Sequence, residues 1–318
     1  MKFKHLVLAT SVAITGAAGM AAAEFPSEQP IRLVNPYGAG GGVDIAGRIL
    51  SSVAGEFLDT RVDVISIDGA GGQEAINLVR DAEADGYTLL LTDYGPLVTT
   101  ALREDVSYDL DEWVPLVQIT EVAPVFFARA DGPLTDMETF IEIARDDPGG
   151  ISVGHGRHLS VPHLPLILLE GVAEFETTHL PTTGGAQALS FVLGGQVDAG
   201  ASVPSTIAGG VGDGSLVALA LATADRVEAL PDTPTLQELG YDVVLPAWYT
   251  IFAHRDVAEE RKAVLEERIL EALESPSAQA LAQRSGTDLV LLGMEDSMEA
   301  YQTTIANLEA ILADIDED

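Results

Sequence analysis

The sequence predicts an α/β protein of two hinged lobes, each a mainly parallel sheet flanked by helices. Three observations carry that prediction. Short apolar strands alternate with amphipathic helices along most of the chain. The strands end in glycine-rich or polar loops, which places candidate ligand loops at the carboxyl ends of a sheet. Strands at Val117–Thr120 and Val125–Arg129 flank the passage Glu121-Val122-Ala123-Pro124, and Val243–Ala247 offers a second passage, so the chain crosses between lobes twice. The lobes are read as 24–122 plus 247–318 and as 123–246.

The elements follow in order. Ile31–Val34 is a strand, and Asn35-Pro36-Tyr37-Gly38-Ala39-Gly40-Gly41-Gly42-Val43-Asp44 leads from it into a helix with Ile45, Ile49, Leu50, Val53 and Phe57 on one face. The glycines let backbone approach a small ligand closely, and the helix start offers unpaired N–H groups and a positive dipole end. Val62–Ile67 alternates as a strand, Asp68–Gln73 is a second glycine turn, and Glu74–Ala84 is a helix. Tyr87–Thr92 is a buried strand ending in the loop Asp93-Tyr94-Gly95-Pro96. In the second lobe, Asp136–Arg145 is a helix and Ile151–Val153 a strand, followed by the polar loop Gly154–Ser160 and a helix holding Pro165–Leu169. Thr177–Leu180 is a strand, Pro181–Gly185 opens the helix Ala186–Leu193, and Val197–Ser202 and Leu216–Ala222 are further strands. Helices at Ala258–Glu274, Ser277–Ser285 and Asp296–Ala313 complete the chain.

At 318 residues and 47% hydrophobic, the chain can bury two modest cores. Residues 1–23 read as a signal peptide: Lys2 and Lys4 precede an apolar run from Leu6 to Ala18, and Ala21–Ala23 supply a cleavage site. The run is too short and too interrupted for a membrane anchor, which makes the mature protein exported and periplasmic, without stable membrane insertion. With no cysteine, disulfides, thiol catalysis and lipid attachment at cysteine are excluded. The formal net charge is −34, and loss of Lys2 and Lys4 would make it −36, leaving Lys262 and thirteen arginines. That balance excludes a nucleic-acid partner, which needs a basic footprint. Spread along the whole chain, the charge reads as a solvated acidic surface of the halophilic kind.

Little points to catalysis, and the chain is read as a non-enzyme. Gly38–Val43 satisfies only part of a dinucleotide fingerprint, because Val43 stands where a small residue is needed, and no phosphate-binding G-K-[ST] follows any glycine loop. His155, His158 and His163 cluster without metal-ligand spacing, so neither metal nor cofactor is expected. No G-x-S-x-G is present. What remains is a set of strand-end loops as candidate ligand contacts: Tyr37, Gly38, Ala39, Gly40, Gly41, Gly42, Val43 and Asp44 in the first, and Gly72 and Gln73 in the second. Asp93 and Tyr94 follow, then His155, Gly156, Arg157, His158, Ser160 and His163, then Thr182, Thr183, Gly184, Ala186 and Ser202. Arg157 is the one obvious cation among them, so anion binding must rest mainly on oriented amides. Asp44 reads either as the N-cap of the first helix or as a contact for a ligand ammonium.

Seven segments in order resemble the substrate-binding receptors of tripartite tricarboxylate transporters, the Bug or TctC-like proteins. The first, Pro36–Asp44, is similar to P-x-x-P-G-G-G-x-D, with Ala39 in place of the second proline. The others are Gly69–Gln73, with Gln73 where asparagine is usual, Asp85–Leu90, Ser160–Leu164, His179–Ala186, Leu193–Asp198 and Leu230–Thr235. The resemblance spans the mature chain. It implies a two-lobed periplasmic-binding-protein (Venus flytrap) fold, a monomer, a small carboxylate in the cleft and membrane permease subunits as partners. It further implies that Gly40–Asp44 holds one carboxylate and Gly154–Ser160 the distal part, with Thr182, Gly184 and Ala186 alongside and Ser202 nearby. A periplasmic sensor, or less readily a secreted dinucleotide-dependent oxidoreductase, would also fit the sequence.

Overall fold

The computed structural model describes residues 25–317, so the signal-peptide reading lies outside the described residues. The first lobe starts with β1 (Ile31–Asn35), α1 (Gly42–Phe57), β2 (Val62–Ser66), α2 (Gln73–Arg80) and β3 (Thr88–Thr92). Tyr94 already begins a helix, and Gly95–Thr99 is a π-turn running into α3 (Thr100–Arg103), where the sequence predicted a loop. The ten-residue β4 (Trp113–Val122) then carries the chain out of this sheet and β5 (Val125–Arg129) into the next.

The second sheet and its helices are formed by α4 (Met137–Asp146), β6 (Ser152–His155), α5 (Leu164–Ala173), β7 (Thr178–Pro181) and α6 (Gly185–Leu193). They continue with β8 (Ala199–Ser202), α7 (Pro204–Gly212) and β9 (Leu216–Leu221). Asp136 caps α4, accepting the Thr139 N–H at 2.7 Å. The chain returns through β10 (Ala247–His254) and closes with α8 (Glu259–Glu274), α9 (Pro276–Ser285), β11 (Leu289–Leu292) and α10 (Met294–Glu317).

The first sheet has the order β11-β4-β10-β3-β1-β2 and the second β7-β6-β8-β5-β9. Both are mixed, a refinement of the expected mainly parallel sheets. β1 pairs in parallel with β2 and β3, but β10 is antiparallel to β3 and β4. β6 pairs in parallel with β7 and β8, but β5 is antiparallel to β8 and β9. The reason is geometric. A strand entering a lobe from the cleft must run against strands whose carboxyl ends face that cleft, and β5 and β10 are the two entering strands.

The cores follow strand alternation. On β5, Phe126 and Ala128 join one apolar cluster of the second lobe while Val125 and Phe127 join another, one on each sheet face. The first lobe's core is larger and takes in Leu159, Val161, Leu164 and Val203 from the second lobe. The lobes are therefore packed together around the cleft.

Candidate functional site

The first loop is pinned from behind by a polar chain. Asn35 accepts the Tyr37 N–H on Oδ1 (2.9 Å) and donates to Ser66 Oγ (2.9 Å), which donates to Asp44 Oδ1 (3.2 Å). Asp44 Oδ2 accepts from the Gly40 N–H (2.8 Å) and from Arg48 Nε (2.7 Å). Gly40 sits at φ +84°, where a side chain would be strained. The N-cap of α1 is Gly41, so Asp44 is not the N-cap. It lies within the first helical turn, is 1% exposed and accepts from Gly40, Arg48 and Ser66, which holds the loop against β2 and α1.

In front of this loop lies an interlobe cavity. The first lobe contributes Tyr37, Gly41, Gly42, Val43 and Asp93, all at carboxyl ends of strands, and Tyr249 from β10. The second lobe contributes Gly156, Ser160, Gly184 and Ser202, together with Val161, Pro162, Gly185 and Val203. The starts of α1 and α6 both border this space, which brings helix first turns, whose N–H groups lack intrahelical acceptors, to it from both lobes. Ser160 Oγ and Ser202 Oγ are buried without a hydrogen-bond partner among the described residues. Orphaned hydroxyls in a closed cleft are hydrogen-bonding capacity held for a ligand.

The remaining predicted residues take other positions. Gly38 and Gly40 form a rim contact across the cleft: Gly38 N–H donates to the Thr183 carbonyl at 3.4 Å, and Gly40 lies beside Ala186. Ala39 and Thr183 are exposed. Thr182 Oγ1 reaches the carbonyls of His155 (2.7 Å) and Gly184 (2.9 Å), shaping the turn before α6. Gln73 donates to the Pro96 carbonyl at 3.0 Å and supports the π-turn, while Tyr94 is buried edge-on to Trp248. Arg157 lies over the Tyr37 ring at 4.7 Å and donates to the Pro36 carbonyl, tying the lobes together, while its Nη1 is buried without a hydrogen-bond partner among the described residues. With Gly72, Arg157 sits on the far side of Tyr37, where it borders a second cavity of about 610 Å³ with His158 and Glu104.

Charge in the cleft is set by burial. Asp93 Oδ1 accepts from Tyr37 OH (2.9 Å) and from the Gly95 N–H (2.8 Å), and burial lifts its pKa to about 6. Burial and the Asp93 charge hold Tyr37, Tyr94 and Tyr249 well above the usual phenol range, so all three stay neutral.

Behind the cleft the histidines form a proton-ordered chain. The Leu159 N–H donates to His163 Nδ1 (2.8 Å), so His163 Nε2 carries the hydrogen that meets His179 Nδ1 (2.8 Å). His179 Nε2 in turn meets Glu170 at 2.9 Å. Ring nitrogens of His155, His163 and His179 come within 4.8 Å of one another. His155 and His163, however, stack with centroids 3.8 Å apart and planes 5° from parallel. In-plane lone pairs of stacked rings cannot converge on one ion at bond lengths of about 2 Å. This geometry does not fit a metal. His179, not His158, completes the cluster.

Burial pushes His155 down to about 4 and His163 to about 2. Bases depressed on folding contribute full stability above the unfolded value of about 6.5 and lose it as pH falls toward the folded values. Asp93, raised on folding, acts in the opposite direction between about pH 4 and 6. The two histidines outweigh it, so acidification from about pH 7.5 to 5 in molar salt should cost about 2–3 kcal/mol. Denaturant titrations at both pH values check this, and His163→Asn should flatten the slope.

Two sheets with a cavity lined from both define a two-lobed binding-protein fold. The chain belongs to the tripartite tricarboxylate transporter receptor family, whose model matches residues 48–316. The UPF0065 protein of the tcbD-tcbE intergenic region in Pseudomonas sp. strain P51 is 30% identical over 263 residues, covering 78% of this chain and 77% of that protein. BugT of Bordetella pertussis is 28% identical over 289 residues, covering 89% of each. Among solved structures, the periplasmic binding protein BugD superposes with TM-score 0.85 at 24% identity, covering 90% of this chain and 97% of that one. MatC of Rhodopseudomonas palustris with bound malate superposes at 0.83, also with 24% identity, covering 90% and 99%.

Proposed function

We propose that this protein is an extracytoplasmic solute receptor that closes over a small carboxylate and presents it to the membrane permease subunits of a tripartite transporter. The observation that carries the reading is the interlobe cavity bordered by a helix start from each lobe, with two orphaned serine hydroxyls and no lysine or arginine in its wall. Such a wall replaces the hydration of an anion with amide and hydroxyl donors. MatC with bound malate, and the R. palustris protein Rpa4515 with adipate, support carboxylates as the ligand class. In this reading 24–122 plus 247–318 forms one lobe and 123–246 the other, and the chain acts as an exported monomer cleaved near Ala23. The acidic surface is an adaptation to high salt. A ligand touching both lobes stabilises the closed state by its differential affinity for that state.

The test is a thermal-shift screen in molar salt with malate, succinate, adipate, benzoate and aspartate, followed by calorimetry on the best binder. At 100 times its Kd, a ligand that binds only the folded chain adds about 2.7 kcal/mol, a shift of several degrees. If none of these acids moves the melting temperature, the receptor reading fails.

A further inference from the structure

A buried acid in the wall of an anion cavity needs an explanation. Asp93 lies just beyond the carboxyl end of β3, is 3% exposed and lines the interlobe space. Its Oδ1 is committed to Tyr37 OH and the Gly95 N–H, whereas its Oδ2 receives no hydrogen bond from the described residues. No cationic side chain lines this cavity. Arg157, the cation nearest in the opposing lobe's loop, stacks on the Tyr37 ring and donates to the Pro36 carbonyl. The titratable groups around Asp93 are Tyr37, Tyr94 and Tyr249, each neutral, together with this outlying arginine.

The cavity is therefore bipolar. Helix starts at Gly42 and Gly185 supply partial positive charge, and Asp93 supplies a full negative charge. A plain dicarboxylate would bring a like charge toward Asp93 in a water-poor space, with only the outlying Arg157 charge to offset it. A zwitterion meets both ends. Acceptors for an ammonium also gather beside the acid. A Cβ placed on Gly95 would lie 3.0 Å from Asp93 Oδ1, 3.1 Å from Ser160 Cα and 3.3 Å from Tyr37 OH. Ser160, whose Oγ is one of the orphaned hydroxyls, lines the same cavity as Asp93.

We propose that Asp93 is the specificity-determining residue of the cleft and that it binds the ammonium of an amino acid whose carboxylate rests on the amides of the α1 and α6 starts. The proposal rests on the receptor reading above and narrows its ligand to α-amino acids. Calorimetry in molar salt at about pH 7.5 tests it with matched pairs that differ only in the ammonium: L-alanine with propionate, L-aspartate with succinate, and L-phenylalanine with 3-phenylpropionate. In the pair whose body fits, the amino acid should bind about 10- to 100-fold more tightly, the range of a buried charge-assisted hydrogen bond. Asp93→Asn should erase that preference. If the variant does not fold, the wild-type pairs alone decide.

Binding of a des-amino acid as tightly as its partner overturns the ammonium proposal and leaves the receptor reading standing. Failure of every acid in all three pairs, with those of the earlier screen, overturns both readings.

Discussion

Replacing Gly42 with valine is expected to abolish ligand binding, raising Kd more than about 100-fold, while the unliganded protein still folds. A Cβ at this position would lie 2.7 Å from Val203 Cγ2 of the opposing lobe and would overlap the Tyr249 hydroxyl. The Val203 contact exists only when the lobes are together, so a branched side chain acts as a wedge in the hinge stroke. The Tyr249 overlap lies within the first lobe, where the ring borders the cavity, and is relieved by a shift of that ring toward it. A ligand must then supply the full cost of an imperfect closed state, and each 1.4 kcal/mol of that cost is a factor of ten in affinity. Gly41→Val should also block binding, by a different route. Its Cβ would meet nothing nearer than the Gly38 carbonyl at 3.7 Å, so the valine would occupy ligand space without touching the other lobe. Calorimetry with the best acid from the screen, alongside small-angle scattering, separates the two. Gly42→Val should hold the lobes apart even at saturating ligand, and unchanged affinity would remove the hinge argument.

The architecture was legible because its signals are local. Strands such as Ile31–Val34 and Leu89–Thr92 are short and apolar, the crossings fall between patterned segments, and Asp136 announces its helix three residues before its bonded amide. Three elements escaped the sequence reading. α7 carries four of its nine residues as Pro or Gly, β11 is a four-residue edge strand, and the turn at Gly95–Thr99 begins Gly-Pro. Propensity argues against order in α7 and in the Gly-Pro turn, where tertiary packing overrides it, whereas the Leu-Val-Leu-Leu of β11 is strand-compatible but too short to stand out.

The cleft was legible as loops but not as contacts. Tyr37, Asp93, Ser160, Gly184 and Ser202 converge because strand carboxyl ends converge, which the β-loop-α rhythm foretold. Tyr249 enters from an antiparallel strand more than 150 residues from Asp93 in the chain, and no local pattern marks it. The role of Asp44 as a helix cap was misjudged because a charged side chain's partner is a property of the folded neighbourhood. The same holds for His179, whose place beside His163 depends on pairing of β6 with β7.

The second large effect is expected from salt. Raising potassium chloride from about 10 mM to about 1 M should raise the melting temperature by more than about 10 °C, because the Debye length contracts from about 30 Å to about 3 Å over that range. Among the described residues the sole lysine is Lys262, and at 2% exposure it contributes nothing to the surface. Several arginines are likewise turned to backbone carbonyls: Arg145 to Ala173, Arg157 to Pro36 and Arg261 to Asp85. Fifty carboxylates therefore face few mobile cations of the protein's own, and pairs such as Arg226 with Glu238 are solvent-exposed and weak. Self-repulsion then opposes the compact state until solution ions screen it. The shape of the curve identifies the cause. Screening delivers most of its gain below about 0.3 M, where the Debye length falls beneath the spacing of surface charges, and then levels off. Strengthened apolar burial by excluded salt would instead keep climbing and would depend on anion type, with sulfate exceeding chloride. A melting temperature flat across the lower range would mean that the negative charge is spaced widely enough in water to cost the fold nothing.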